Sequence, residues 1–428
     1  MSYEAIIAKI DSIRPIEGAD RIVAATVLNS GVVVSVNTKI GDIGVFFPED
    51  GIFEDEFCEK NGLFPTLDKD GKRIGGGFFT KGKARIRSQK FKGVKSCGFW
   101  SPISCLEYTG VNVSKLKVGD KFTELNKVKI CQKYYTPATL KAQANAAKQG
   151  KKQPVSKMLK EHADTEQLRY MIGEIPKGAL ISLQNKRHGT SFRAGYVSQI
   201  IELNKFKRFI NKFVKVFSES KREYLLGTRR VVLLPHETNK EGFHGSESFR
   251  YEILPLIKDK IPFGYTLYGE ITGWANGKPI MAPHDLNKPE FKEIKNQYNS
   301  PMFFSYEDTE GAHSFMLYHA TFTNEDGHSI GLSLEEVKKL AKNIGVKAPH
   351  EFEPEFIYDG NKEALYEKVK SYLDKADPED NRHYSEGVIV RYAVGNTVKF
   401  LKEKGFYFKV GEGIIKSDEN QVDMEEAA

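Results

Sequence analysis

The chain has 428 residues, 40% of them hydrophobic and 28% charged, the balance of an ordinary globular protein. No window approaches the unbroken apolar length of a membrane span, and four cysteines, Cys58, Cys97, Cys105 and Cys131, show no C-x-x-C spacing, which argues against a zinc ribbon or a disulfide framework. Formal net charge is +7 although the last residues, "SDENQVDMEEAA", are acidic, so the rest is more basic than the total and suits a phosphate-rich partner.

The start, "MSYEAIIAKIDSIRP", lacks the basic region, apolar core and cleavage site of a secretory signal, which gives a cytoplasmic expectation. Residues 1–127 read as all-β. "EAIIAKIDSIRPI", "DRIVAATVLNSGVVVSV" and "IGDIGVFFPED" are short β-rich runs punctuated by Gly, Asp, Asn and Pro, the spacing of a small barrel. Within them, "TKGKARIRSQKFKGVKS" sets Lys81, Lys83, Arg85 and Arg87 on alternate positions, so one strand would present all four on one face. A solvated sheet face is one outcome of such alternation; a cationic track along a nucleic-acid backbone is the other.

Residues 128–164 change character. "TPATLKAQANAAKQGKKQPVSKM" is rich in Ala, Lys and Gln and reads as a linker, partly helical. From 165 to 413 apolar strands ("GALISLQ", "RVVLL", "YTLYGEI", "SFMLYHATF", "EGVIVRY") recur with helices between some of them. One helix starts in "SLEEVKKLAKNIG", with Ser333 as cap, Glu336 completing a capping box and Gly345 closing it. Another lies in "NKEALYEKVKSYLDK", with Leu365, Val369, Tyr372 and Leu373 on one stripe. Residues 414–428 read as an acidic disordered tail.

Several side chains have the types that chemistry needs. In "SLQNKRHGTSFR", Lys186 follows an apolar run and precedes His188, Gly189, Thr190 and Ser191. A lysine of ordinary pKa, near ~10.4, is protonated at neutral pH and is no nucleophile; nearby cations and partial burial lower such a value. In "VKFLKEKGFYFKV", Lys402 and Lys404 share a strand face with Phe400. Glu270 ends "YTLYGE" and Glu386 precedes a Val-Ile-Val run, each a carboxylate at the mouth of a buried strand, placed for ribose hydroxyls or a divalent metal. Arg229 and Arg230 adjoin an apolar strand, and a buried arginine needs an anion. Phe315 and Tyr318 are both candidates to stack on a base. Singly, each of these is more often a structural residue.

Their order is more telling. Lysine with His-Gly, then an arginine turn, Tyr-Gly-Glu, an aromatic strand, Glu-Gly and Lys-x-Lys resembles the covalent nucleotidyltransferases, which comprise ATP- and NAD-dependent ligases and messenger-RNA capping enzymes. "KRHGTSFR" resembles RNA ligases of the second phage type, where DNA ligases and capping enzymes usually carry K-x-D-G. "IDSIRPIEGADRIVAATV" and "FKGVKSCGFW" are similar to the N-terminal OB domain of the fifth RNA-ligase family. The resemblance implies an α+β protein: an N-terminal OB-type β-barrel, then a mixed α/β nucleotidyltransferase domain (ATP-grasp-like) with antiparallel sheets.

It further implies ATP as co-substrate, held as covalent AMP on Lys186, with Mg²⁺ or Mn²⁺ at Glu386. Gln184, Asn185, His188, Gly189, Ser191 and Arg229 (Arg230 competing) would line the nucleotide, with Glu270 on the ribose and Tyr318 (Phe315 competing) on the adenine. Glu386, Lys402 and Lys404 would assist catalysis, both lysines touching the α-phosphate. The implied substrate is RNA bearing 3′-OH and 5′-phosphate ends, as in a nicked duplex, joined by a monomer with no membrane partner. A capping-type guanylyltransferase, a DNA ligase and a catalytically dead RNA-binding protein are the competing readings.

Overall fold

A computed structural model describes residues 3–135, 158–162, 165–200, 203–214, 216, 220–229, 231–233, 241–242, 245–246 and 248–412. Arg230, most of the expected linker and the acidic tail lie outside the described residues. The chain divides into two units, one of Met1–Ala144 with Asn287–Ile294 and Lys409–Ala428, the other of Asn145–Leu286 with Lys295–Phe408. The fold is mixed α+β, with mostly antiparallel sheets.

In the first unit, period-two burial decides which residues face inward: Ser30–Ser35 alternates buried with more exposed positions. That strand pairs with Ile22–Val27 through a turn in which Leu28 and Asn29 both have positive φ (47° and 59°), the turn whose twist matches a tight hairpin. Ser12–Pro15 completes this sheet. A second sheet runs Phe99–Pro102, Ile43–Phe47, Ala5–Lys9, Lys121–Phe122, and a third runs Cys131–Lys133, Gly51–Phe53, Arg85–Ile86. Among the described residues their pairings do not close into a barrel. Phe47, Phe53, Phe57 and Phe79 centre the core, with Phe47 and Phe53 edge to face at 4.8 Å. Val128–Lys129 and Cys131–Lys133, read from sequence as the start of the linker, are strands of this unit.

The expected four-cation strand does not form. Only Arg85–Ile86 pairs as strand, because the chain turns at Gly82 (φ 70°). Lys81 instead pairs with Glu59 at 2.6 Å, and Arg85 pairs with Asp50 at 3.4 Å while lying over the Tyr134 ring.

Two sheets of the second unit carry the site. One is five-stranded, ordered Thr165–Gln167, Thr397–Lys404, Gly387–Val394, Leu180–Asn185, Phe356–Ile357, with only the first pair parallel. The other is antiparallel and centred on Thr190–Ile200, Tyr265–Ala275 and His313–Thr323. Consecutive strands Leu180–Asn185 and Thr190–Ile200 thus belong to different sheets, and residues 186–189 carry the chain across. The helix Leu334–Ile344 has the expected capping box, Ser333 with Glu336, and ends on Gly345 at φ 80°. Lys362–Lys370 buries Leu365 and Val369, and Tyr372 and Leu373 pack beyond its end.

Candidate active site

The crossover 186–189 is held by hydrogen bonds from several elements. Asn185 Nδ2 donates to Asp377 (2.9 Å) and Glu379 (3.0 Å), and its Oδ1 accepts from Ser385 Oγ. The Arg187 guanidinium grips Glu379 through two nitrogens (2.8 and 3.2 Å) and lies 4.8 Å over the Tyr306 ring. The His188 N–H donates to the Tyr306 hydroxyl at 2.6 Å, and the Lys186 N–H to the Gly387 carbonyl at 2.9 Å. Gly189 lies against the next sheet: a Cβ there would sit 2.7 Å from the Ile271 carbonyl and 3.3 Å from Glu270 Cβ. Its bareness therefore lets the crossover close onto the strand carrying Glu270. With the backbone held, Lys186 extends its amine to Glu386 at the edge of the pocket.

Glu386 is the electrostatic hub. Its Oε1 lies 2.9 Å from Lys186 Nζ and 3.0 Å from Lys404 Nζ, and its Oε2 is 3.7 Å from His188 Nδ1. Burial pushes this carboxyl up, but Lys186, Lys404 and His188 together hold it well below the usual carboxylate range. Gly387, next in chain, permits the arrangement, since any Cβ there would run into the Glu403 carbonyl on the adjacent strand. On that strand alternation separates roles. Lys402 and Lys404 face the site; buried Glu403 faces away and pairs with Arg169. Burial first, then Lys186 and Lys404, pushes the Lys402 amine down to about 6.

Beside the hub opens a pocket lined by Lys186, Lys402, Gln184, Arg229, Glu270 and Tyr318, together with Asn185, Arg187 and Ser191. Glu270 accepts from Ser191 Oγ at 3.4 Å. Its carboxyl is pushed up to about 7 by burial and by Glu386, against the pull of Lys186. Tyr318 and Phe315 are now distinguished. Phe315 packs on Phe192 at 5.1 Å in the core, whereas Tyr318 lines the pocket. The cause is a bulge: Tyr268 pairs with His319 and Gly269 with Leu317, so Tyr318 is the extra residue and is re-aimed.

Among the pocket residues that were not foreseen, His162 touches the expected base-stacking side chain. His162 Nδ1 lies 2.5 Å from the Tyr318 hydroxyl. Burial, with Arg193 and Arg229, pushes His162 down to about 3, so it is neutral. With the ring neutral, its tautomer decides which of the two groups donates. Nothing in the sequence marks His162, which precedes the lysine motif at no informative spacing. His188 lies beside Glu386 and is not part of the pocket lining. Its ring packs edge to face on Phe304 and Phe408, both at 4.8 Å, next to Glu386. Gln184 donates to Ser182 at 3.2 Å and lines the pocket, while the Asn185 side chain is turned to the Asp377 loop.

The donor set suits a hard divalent cation. Oε2 of Glu386 and Oε2 of Glu270 are buried carboxylate oxygens with no hydrogen-bond partner among the described residues, the oxygen type that Mg²⁺ and Mn²⁺ prefer.

Known proteins agree with this architecture. No curated protein matches the chain. The chain is similar to solved structures of Naegleria gruberi RNA ligase. An apo point mutant aligns at 18% identity over 96% of this chain and 100% of that one, with TM-score 0.56. A mutant with ATP and Mn aligns at 19% over 96% and 99%, TM-score 0.56, and the ligase with PPi at 17% over 95% and 97%, TM-score 0.56. At such identities the likeness is one of fold. The RNA ligase family model matches residues 181–410, from the strand before Lys186 to beyond Lys404. That span is more than half of the sequence, and the chain belongs to the RNA ligase family.

Proposed function

We propose that the protein is an ATP-dependent RNA ligase that seals nicks whose 3′-OH strand is RNA, acting through a lysyl-AMP on Lys186. The observation carrying this reading is the convergence of the Lys186 and Lys404 amines on one buried Glu386 oxygen, beside a pocket walled by Glu270, Tyr318 and Lys402. Unprotonated, the Lys186 amine attacks the α-phosphorus of ATP; a P–N bond forms, the bond to the β-phosphate oxygen breaks, and pyrophosphate leaves. Glu386 lies 2.9 Å from the Lys186 amine. It orients Nζ, and the proton departs to solvent, which reaches the Lys186 side chain (21% exposed). Lys402 and Lys404 meet charge growing on the α-phosphate oxygens, as preorganised donors do. Glu270 accepts from ribose hydroxyls, Tyr318 stacks on the adenine, and Arg229 faces the phosphates.

AMP then passes from Lys186 to the RNA 5′-phosphate, making it a better electrophile. The 3′-hydroxyl attacks that phosphorus and AMP leaves as the ends join. Mg²⁺ or Mn²⁺ held by Glu386 would neutralise phosphate oxygens. The strands of the first unit serve as an OB-type RNA-binding module of a monomer acting in the cytoplasm, in RNA repair or defence; no helix among the described residues is long and apolar enough to cross a membrane.

Sealing of matched nicks with RNA or DNA at the 3′-OH end tests the substrate assignment, and equal rates on both would defeat it. Labelling with ATP and with GTP in parallel separates this reading from a capping-type guanylyltransferase, which takes GTP alone.

A further inference from the structure

The first unit contains a cavity that the ligase chemistry does not use. It measures about 370 Å³, within the ~300–1,000 Å³ of small-molecule sites. Its lining includes two arginines, Arg21 and Arg87, and no acidic residue. Arg87 is the last of the four alternating cations. Lys81 and Arg85 have acidic partners, but Arg87 has no ion pair or hydrogen bond among the described residues, and it is partly withdrawn from water. A guanidinium left this way calls for an anion.

The rest of the wall is aromatic. Phe78, Phe91 and Phe99 line the cavity and keep part of their surface open to it. Phe78 and Phe91 stand 6.0 Å apart at 60°, a corner rather than a closed stack. Trp100 also lines the cavity; 7% exposed, its Nε1–H has no acceptor among the described residues. Gln89, at the same wall, offers an amide. Aromatic faces, an amide and an uncompensated cation together match a flat heteroaromatic ring carrying a phosphate, which excludes a purely apolar occupant.

We propose that this cavity binds one unstacked nucleotide of the RNA substrate, its base against Phe78 and Phe91 and its phosphate on Arg87. The inference rests on the RNA ligase reading for the identity of the strand. It replaces the expected cationic track with a single-nucleotide pocket. A free mononucleotide shares the chemistry but lacks the flanking phosphate that Arg21, on the same wall, would meet.

Two tryptophans occur in the chain, so Trp274→Phe leaves Trp100 as the sole indole reporter. In the full-length protein, a single-stranded RNA oligonucleotide is expected to change Trp100 emission. Arg87→Gln and, separately, Phe91→Leu should weaken RNA affinity roughly ten- to hundredfold, the scale of one lost base stack. They should raise KM for nicked RNA while adenylylation by ATP alone stays at the wild-type rate, which also reports that the variants are folded. RNA affinity unchanged in both variants would overturn the proposal. So would AMP or ATP changing Trp100 emission at lower concentration than the oligonucleotide, which would make the occupant a free nucleotide. A wild-type protein that binds RNA at Trp100 yet never joins ends would sink the ligase reading and leave this site standing.

Discussion

Replacing Lys402 by methionine should stabilise the protein while crippling it. Lys402 is 4% exposed, and burial with Lys186 and Lys404 around it brings its amine down to about 6. In the unfolded chain a lysine titrates near ~10.4. Between these values the unfolded chain binds a proton that the folded chain does not, so wild-type stability climbs with pH across this window. Near pH 7.5 the folded state forgoes about three units of proton affinity, an upper bound of ~4 kcal/mol. Lys402→Met keeps the length and apolar stem of the side chain and removes that penalty. Urea unfolding near pH 7.5 should show a gain of about 2–4 kcal/mol, and the slope of stability against pH should flatten. Adduct formation with ATP should fall about 10²–10³-fold, the usual loss for one preorganised charge donor. A variant that is less stable at that pH, or one that forms the adduct at the wild-type rate, would refute the reasoning.

Three further outcomes follow from the same geometry. ATP binding should draw in a proton near pH 7.5, because phosphate raises the Lys402 amine from about 6; calorimetry in two buffers of different ionisation enthalpy should detect it, and Lys402→Met should abolish it. His162→Phe and Tyr318→Phe should each raise KM for ATP several-fold with kcat nearly unchanged, about 1 kcal/mol for the hydrogen bond, and the double variant should be no worse than either alone. Gly189→Ala should lower Tm and slow adenylylation together, since its Cβ pushes the crossover off the Ile271 carbonyl; unchanged thermal unfolding would count against that packing.

The sequence revealed local patterns and missed what long-range contacts decide. Lys402 and Lys404 on one face of a strand, and the Ser333 cap, are readable because alternation and capping are set by near neighbours. The partners of Asn185 and Arg187 are Asp377 and Glu379, nearly two hundred positions away in the chain, and no spacing rule reaches them. Phe315 and Tyr318 could not be told apart because strict alternation fails at an extra residue that only the opposite strand exposes. The four-cation strand failed for the converse reason: the alternation was real, but Gly82 breaks it with a turn and acidic partners elsewhere claim Lys81 and Arg85.

Whether Lys186 carries the nucleotide is open to direct measurement by intact mass after incubation with ATP and Mg²⁺ or Mn²⁺. The wild type should gain the mass of one adenylyl group, mapped by peptide digestion to Lys186, and should release pyrophosphate in equal amount. Lys186→Ala should gain nothing. An adduct that persists in Lys186→Ala, or a wild type that gains no mass and releases no pyrophosphate, would contradict the assignment.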